Sequence, residues 1–199
     1  MKCYQQYLDK LLSESKKSSE NRFYTLQLLE LYSCAKNIDS GLILEFGVDH
    51  GQSTKCFLNA ISGNQNVKLI SLDVKDCGSV GLDSKQWDFI QQDSRDIESL
   101  LDKKPEIKNG IDILYIDSLH TREQVEKELY LYFPYVKQNC MIYFDDIDSN
   151  PYMQNKRKDN ILAERNNREI LRLLEEVFIS NYESIDFNIM RGSTGLGIF

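Results

Sequence analysis

The chain has 199 residues, 41% of them hydrophobic and 28% charged, with 31 acidic against 24 basic side chains and a formal net charge of −7. That length fits one domain able to bury roughly 70% of the surface its unfolded chain exposes. The acidic balance argues against a nucleic-acid groove, which needs a clustered basic face. No apolar stretch approaches the roughly 18 residues of a membrane span, and the polar N-terminus is no signal peptide. A single cytoplasmic domain, with no nucleic-acid or membrane partner, is expected.

The first 40 residues read as a helical cap, with Tyr4, Tyr7, Leu8, Leu11 and Leu12 on one face and a second amphipathic segment from Phe23 to Tyr32. These helices could cover a sheet edge, cap a site or join two subunits as a homodimer. Residues 41–150 carry five apolar runs, each ending in a carboxylate: 42–44 then Glu45, 67–72 then Asp73, 87–92 then Asp93, 111–116 then Asp117, and 141–144 then Asp145-Asp146. Helical segments are expected near 53–62, 97–101 and 123–133. Short apolar runs separated by helices indicate buried parallel strands of an α/β sheet. Such sheets bind ligands just outside the carboxyl ends of their strands, where these acids fall. In 151–199, a loop over 151–159 leads to a helix over 161–178. Residues 182–190 and 196–199, around Arg191-Gly192-Ser193-Thr194-Gly195, read as a terminal hairpin.

The five cysteines (Cys3, Cys34, Cys56, Cys77 and Cys140) lack CxxC spacing, so neither a zinc site nor a disulfide framework is indicated. Cys56 and Cys140 fall in apolar elements, as small hydrophobes. The basic cluster Lys156-Arg157-Lys158 reads as a solvated face.

The turn after the first run reads Glu45-Phe46-Gly47-Val48-Asp49-His50-Gly51-Gln52-Ser53-Thr54. Gly47 can supply a tight turn, and Gly51 can let the backbone approach a ligand. Ser53 and Thr54 can cap the following helix, whose N-terminal end favours an anion. The plainer alternative is an ordinary strand-to-helix connection. Asp49 stands where a dinucleotide fingerprint needs glycine, and no Gly-Lys-Ser/Thr makes a P-loop.

With its strand-end acid, Glu-x-Gly-x-x-x-Gly-x-Ser resembles motif I of class I S-adenosylmethionine-dependent methyltransferases, a resemblance that extends over residues 40–150. It implies a Rossmann-like three-layer α/β sandwich: a seven-stranded, mostly parallel sheet in the order 3-2-1-4-5-7-6 with a C-terminal antiparallel hairpin. It also implies S-adenosylmethionine as cofactor, with Glu45, Gly47, Gly51 and Ser53 at its methionine end. Asp73 would hold both ribose hydroxyls, Asp93 and Ser94 would contact the adenine, and Asp117 would lie beside the cofactor. A carboxylate does have acceptors for both hydroxyls of a cis-diol.

Asp117 and the pair Asp145-Asp146 would be neighbours in that strand order. Clustered carboxylates repel one another unless a proton or cation intervenes, and oxygen-only ligands point to a hard ion such as Mg²⁺. Ile-Asp-x-x-His with these acids resembles the Mg²⁺-dependent O-methyltransferases, closest to the macrolide-sugar and cephalosporin-hydroxylase-like branch, although Lys137-Gln138-Asn139-Cys140 stands where that branch has Lys-Pro-Gly-Gly. Asp117, Asp145 and Asp146 would then be metal ligands. The alternative is that Asp145 binds substrate without metal while Asp146 and Asp148 cap the loop. Both histidines, His50 and His120, fall at the ligand edge. His120 is the expected general base, with a pKa near neutral, and His50 would orient cofactor or substrate.

The expected activity is O-methylation of a sugar or small-molecule diol. The acceptor pocket would come from residues 1–40, 78–85 and 150–159, where Tyr152, Met153 and Trp87 could add apolar surface. Two competing readings are a cofactor-binding scaffold without turnover and a related α/β enzyme acting on nucleotide-sugars.

Overall fold

The structure, a computed structural model, describes residues 2–80, 84–153 and 160–199, and at positions 2–5, 8, 19 and 20 the backbone only. The expected basic cluster Lys156-Arg157-Lys158 and the side chains of Cys3, Tyr4 and Leu8 lie outside the described residues, as do parts of the expected acceptor segments 78–85 and 150–159.

Five parallel strands, β1 (Gly41–Phe46), β2 (Val67–Asp73), β3 (Trp87–Gln91), β4 (Ile111–Ile116) and β5 (Val136–Asp145), are completed by β6 (Asn188–Met190) and β7 (Leu196–Ile198). The order is β3-β2-β1-β4-β5-β7-β6, and β7 runs antiparallel to both β5 and β6. This is the expected seven-stranded sheet. Side chains of β1 alternate between two layers, as strand geometry requires. Leu42, Leu44 and Phe46 pack with Leu100 of α4 (Ile97–Lys103), Val125 of α5 (Arg122–Tyr132) and Leu174 of α7 (Ile161–Ser180). Ile43 packs the other way, with Leu11 of α1 (Lys2–Glu14), Leu31 of α2 (Ser19–Lys36) and Phe57 of α3 (Gln52–Ile61). Each fully buried Leu, Ile or Phe contributes about 1.5–3 kcal/mol, so both layers hold the sheet rigid beneath its ligand edge.

Four helices start on side-chain caps: Ser18, Asp96, Thr121 and Asn160 accept from backbone N–H groups one turn on. Helix α3 departs from expectation. It starts behind Gly51, at φ +70° and without a side-chain cap, because Ser53 and Thr54 are buried and turned inward. Strand β5 begins earlier than its apolar run, through the solvent-facing Lys137, Gln138 and Asn139. Only 188–190 of the expected strand 182–190 pairs with β7. Where a loop was expected from 151, a short helix α6 (Asn150–Met153) forms. Cys56 is fully buried and Cys140 partly so. No helix among the described residues is long and apolar enough to cross a membrane.

Candidate active site

The carboxyl ends of β1 to β4 surround a cavity of about 530 Å³, within the range of small-molecule sites. Its floor is the turn after β1. Gly47 sits at φ +89°, and a Cβ there would fall 1.9 Å from the carbonyl oxygen of Asp117. Only glycine lets this turn press against the end of β4.

Asp73 fastens the same turn. Its Oδ2 accepts from the N–H groups of Val48 (2.9 Å) and Asp49 (3.1 Å), and its Oδ1 from Lys75 N (2.9 Å). Burial works against its charge, but those three N–H groups outweigh it and hold the pKa below the ordinary carboxylate value. An ionised acceptor therefore lines the cavity. Asp49, also on the wall, is held at φ +43°, a conformation uncommon outside glycine.

The structure brings Gly47, Asp73, Asp93, Ser94, Asp117 and His120 together around this cavity, while Glu45, Gly51 and Ser53 do not line it. A Cβ on Gly51 would meet Val80 Cγ1 at 1.8 Å, so its bareness makes room for a neighbouring loop. Glu45 is fully buried on the α3 side of the sheet. Its Oε2 accepts from Thr54 Oγ1 (2.8 Å) and Ser71 Oγ (2.5 Å), and its Oε1 has no partner. Burial pushes its pKa up to about 7, against the hydroxyls of Ser53, Ser71 and Thr54. Trp87 packs through a bond from Nε1 to Ser71 Oγ (2.9 Å). Asp93 is engaged by Arg95, which donates from Nε to Oδ1 (3.0 Å), from Nη2 to Oδ2 (2.6 Å) and from its backbone N to Oδ1 (2.9 Å).

Beside the cavity, the acids at the ends of β4 and β5 meet. Tyr115 Oη lies 3.2 Å from Asp117 Oδ2 and 3.3 Å from Asp145 Oδ2. Asp146, at φ +58°, gives its N–H to Asp145 Oδ1 (2.9 Å), and Thr194 Oγ1 reaches the same oxygen at 3.3 Å. Burial raises the pKa of Asp117. Burial, then the charges of Asp117 and Asp146, push Asp145 well above its usual value.

His120 is not the near-neutral base expected from the sequence. Its Nε2 lies 2.9 Å from Asp117 Oδ1, and its Nδ1 is bonded to Asp146 Oδ2. Burial alone would lower its pKa, but the two carboxylates lift it to about 11. At neutral pH the ring is an imidazolium, able to donate a proton but not to accept one. His50 stays at the surface, with 89% of its side chain exposed and Asp49 3.6 Å away. Asp148 fastens its loop, as the alternative reading expected: it accepts from Asn150 N (3.0 Å) and Gly192 N (3.0 Å).

The oxygen donors of Asp117, Asp145 and Asp146 suit a hard divalent ion, and Asp145, raised by burial and then by the charges of Asp117 and Asp146, feels the negative charge gathered there. Two of the three acids are engaged by His120, and no group of three or more His, Cys, Asp or Glu among the described residues is already arranged around an ion position.

Sequence reasoning missed Tyr115 and Tyr24. Tyr115 was readable, being on β4 two residues before Asp117, which follows the strand directly. Tyr24 of α2, whose pKa is raised by burial and then by Asp145 and Asp117, carries no local signal. Only the packing of α2 brings it there.

A family model described as a methyltransferase domain matches residues 44–147, just over half of the chain. The chain belongs to this methyltransferase family. No match was found among curated protein sequences. Among solved structures, the MycE methyltransferase of the mycinamycin biosynthetic pathway, in complex with Mg and S-adenosylhomocysteine (SAH), is 18% identical with a TM-score of 0.60. The match covers 88% of this chain but only 48% of MycE, so the methyltransferase-family chain spans about half of that protein. CalS11, a TDP-rhamnose 3'-O-methyltransferase of calicheamicin biosynthesis, is 17% identical with a TM-score of 0.61, covering 98% of this chain and 92% of its own. An O-methyltransferase from Bacillus cereus, in complex with SAH, is 16% identical with a TM-score of 0.56, covering 87% and 79%. These likenesses establish a shared fold.

Proposed function

We propose that this methyltransferase-family chain is a cytoplasmic, S-adenosylmethionine-dependent O-methyltransferase, assisted by a divalent metal and acting on a hydroxyl of a sugar or small-molecule diol. The observation that carries the reading is Asp73, an ionised acceptor locked into the glycine turn on the cavity wall. The SAH complexes of MycE and the Bacillus cereus enzyme support the cofactor, and CalS11, a TDP-rhamnose 3'-O-methyltransferase, supports a sugar acceptor.

Asp73 would take the two ribose hydroxyls, each charge-assisted bond contributing about 1.5–3 kcal/mol. Methyl transfer is an in-line displacement: the acceptor oxygen forms a bond to the methyl carbon as the carbon–sulfur bond breaks and its electron pair returns to sulfur. Holding the acceptor oxygen in line is where a rigid sheet edge contributes most. The acceptor proton must leave, and imidazolium His120 cannot take it while Asp117 and Asp146 hold it. In its ionised form Asp145, the one of the three acids that His120 does not engage, is the carboxylate left to take it, and His120 supplies positive charge to a developing oxyanion. Held by Asp117, Asp145 and Asp146 in place of their contacts with His120, a divalent ion would supply Lewis acidity that lowers the pKa of an acceptor hydroxyl.

Calorimetric titration of S-adenosylmethionine, with and without Mg²⁺, tests this on the native protein and on Asp73→Ala. Micromolar binding that weakens at least about 100-fold in Asp73→Ala is expected from two lost charge-assisted bonds. Absence of binding by the native protein under both conditions would end the reading. Sugar and catechol acceptors are then screened for methyl transfer.

A further inference from the structure

The cavity end between the loops after β3 and β4 is organised by a residue that does not line it. Glu128 of α5 is fully buried, and its Oε1 accepts from Ser94 Oγ, Ser118 Oγ (2.6 Å) and Gln124 Nε2 (2.8 Å). Its Oε2 is buried with no hydrogen-bond partner among the described residues. Gln124, Glu128 and Tyr132 are spaced four apart, which puts them on one stripe of the helix. All three converge on Ser94: Gln124 Nε2 also reaches Ser94 Oγ (3.1 Å), and Tyr132 Oη donates to the Ser94 carbonyl (2.5 Å).

Burying a carboxylate under half-used bonding is costly, and the arrangement has a consequence for the atoms that face the cavity. Ser94, Ser118 and Gln124 all line it. Both serine hydroxyl hydrogens are committed to Glu128, so these side chains present oxygen lone pairs. Gln124 has committed its amide nitrogen, so what it has left to offer is the amide oxygen. The neighbouring Asp93 carboxylate is engaged by Arg95. Apolar Phe46, Leu72 and Leu119 share the walls, which suits the faces of a flat ring.

We propose that Glu128 is a positioning residue that fixes this cavity end as a set of hydrogen-bond acceptors, so that it selects a planar base bearing an amino group over one bearing a carbonyl at the same place. The assignment rests on the cofactor reading above, in which the base is the adenine of S-adenosylmethionine and the amino group its 6-amino group. Without Glu128 the serine hydroxyls are free to turn, and the site can donate as readily as it accepts. Selectivity between the two bases is therefore a property of Glu128, although it touches neither.

The test compares affinities for SAH and for its inosine counterpart, which carries a 6-oxo group, by calorimetry. The native protein should prefer the adenosine compound by about 10-fold or more, as expected where a site built for one hydrogen-bonding pattern meets its reverse. In Glu128→Leu, with folding checked by thermal unfolding, the preference should fall to within about threefold. A native-size preference in folded Glu128→Leu overturns the proposal. Should that variant not fold, Ser118→Ala gives the decision. It should weaken the adenosine compound about 5- to 10-fold and leave the inosine compound unchanged, and equal weakening of both overturns the proposal. Failure of the native protein to bind either compound would remove the cofactor reading itself. Equal native binding of the two removes only the role given to Glu128.

Discussion

His120 Nε2 lies 2.9 Å from Asp117 Oδ1, three residues back along the same loop. With Asp146 on its other nitrogen, the ring is the cation that makes three neighbouring carboxylates tolerable. His120 and a divalent ion thus answer the same electrostatic need in the same place.

His120→Ala should destabilise the metal-free protein by about 1–2 kcal/mol, the low end for an ion left without its partner because the site is partly exposed. Mg²⁺ at about 100 times its Kd would return about 2.7 kcal/mol by mass action, so it should raise the Tm of His120→Ala more than that of the native protein. Thermal unfolding in chelator and in Mg²⁺ reads both effects. If Mg²⁺ moves neither Tm, the metal has no place in this site.

The two glycines of the turn should respond differently to alanine. At Gly47 the added Cβ would meet a backbone carbonyl that the β1–β4 pairing holds in place. At Gly51 it would meet the Val80 side chain, which can rotate away. Gly51→Ala should cost roughly 1–2 kcal/mol, mostly for the left-handed backbone. Gly47→Ala should cost more than about 3 kcal/mol and weaken cofactor binding as well. Denaturant unfolding of the pair checks the order, and equal losses would mean the Asp117 carbonyl yields easily.

Much of the sheet was legible because fully buried parallel strands must read as apolar runs. Leu42 to Leu44 and Ile113 to Ile116 are buried throughout, with no solvent face on which to carry a charge. Asp73 and the acids of β4 and β5 were legible for the converse reason, since a charge at a strand's carboxyl end reaches the open edge. Three things were not. The protonation of His120 depends on Asp146, 26 positions away and brought back only by β5. Glu128 reads as one more charge on a helix until Ser94, 34 positions earlier, is seen bonded to it. Glu45 ends an apolar run like the other acids, yet it is followed by Phe46 within the strand. It therefore faces the α3 layer instead of the ligand edge.

Glu45 supplies the pH prediction. Its carboxyl is buried with Oε1 unpartnered, and its pKa is pushed up from 4.5 to about 7. Between those values the folded protein holds a proton that the unfolded chain has released, so stability falls as pH rises. Below pH 4.5 both states are protonated and above about 7 both are ionised, so the contribution is flat on either side. The span corresponds to a loss of roughly 3 kcal/mol between pH 4.5 and 7. Glu45→Gln has no proton to lose and should lack this segment of the pH dependence, whatever its absolute stability. Its amide nitrogen would sit unbonded where Oε1 does now, at a pH-independent cost of about 1–3 kcal/mol. The stability difference between the two proteins, followed by denaturant unfolding from pH 4 to 9, should shift in favour of Glu45→Gln through pH 4.5–7 and then hold level. A difference that stays constant across that window would mean Glu45 is ionised in the fold as readily as in the open chain.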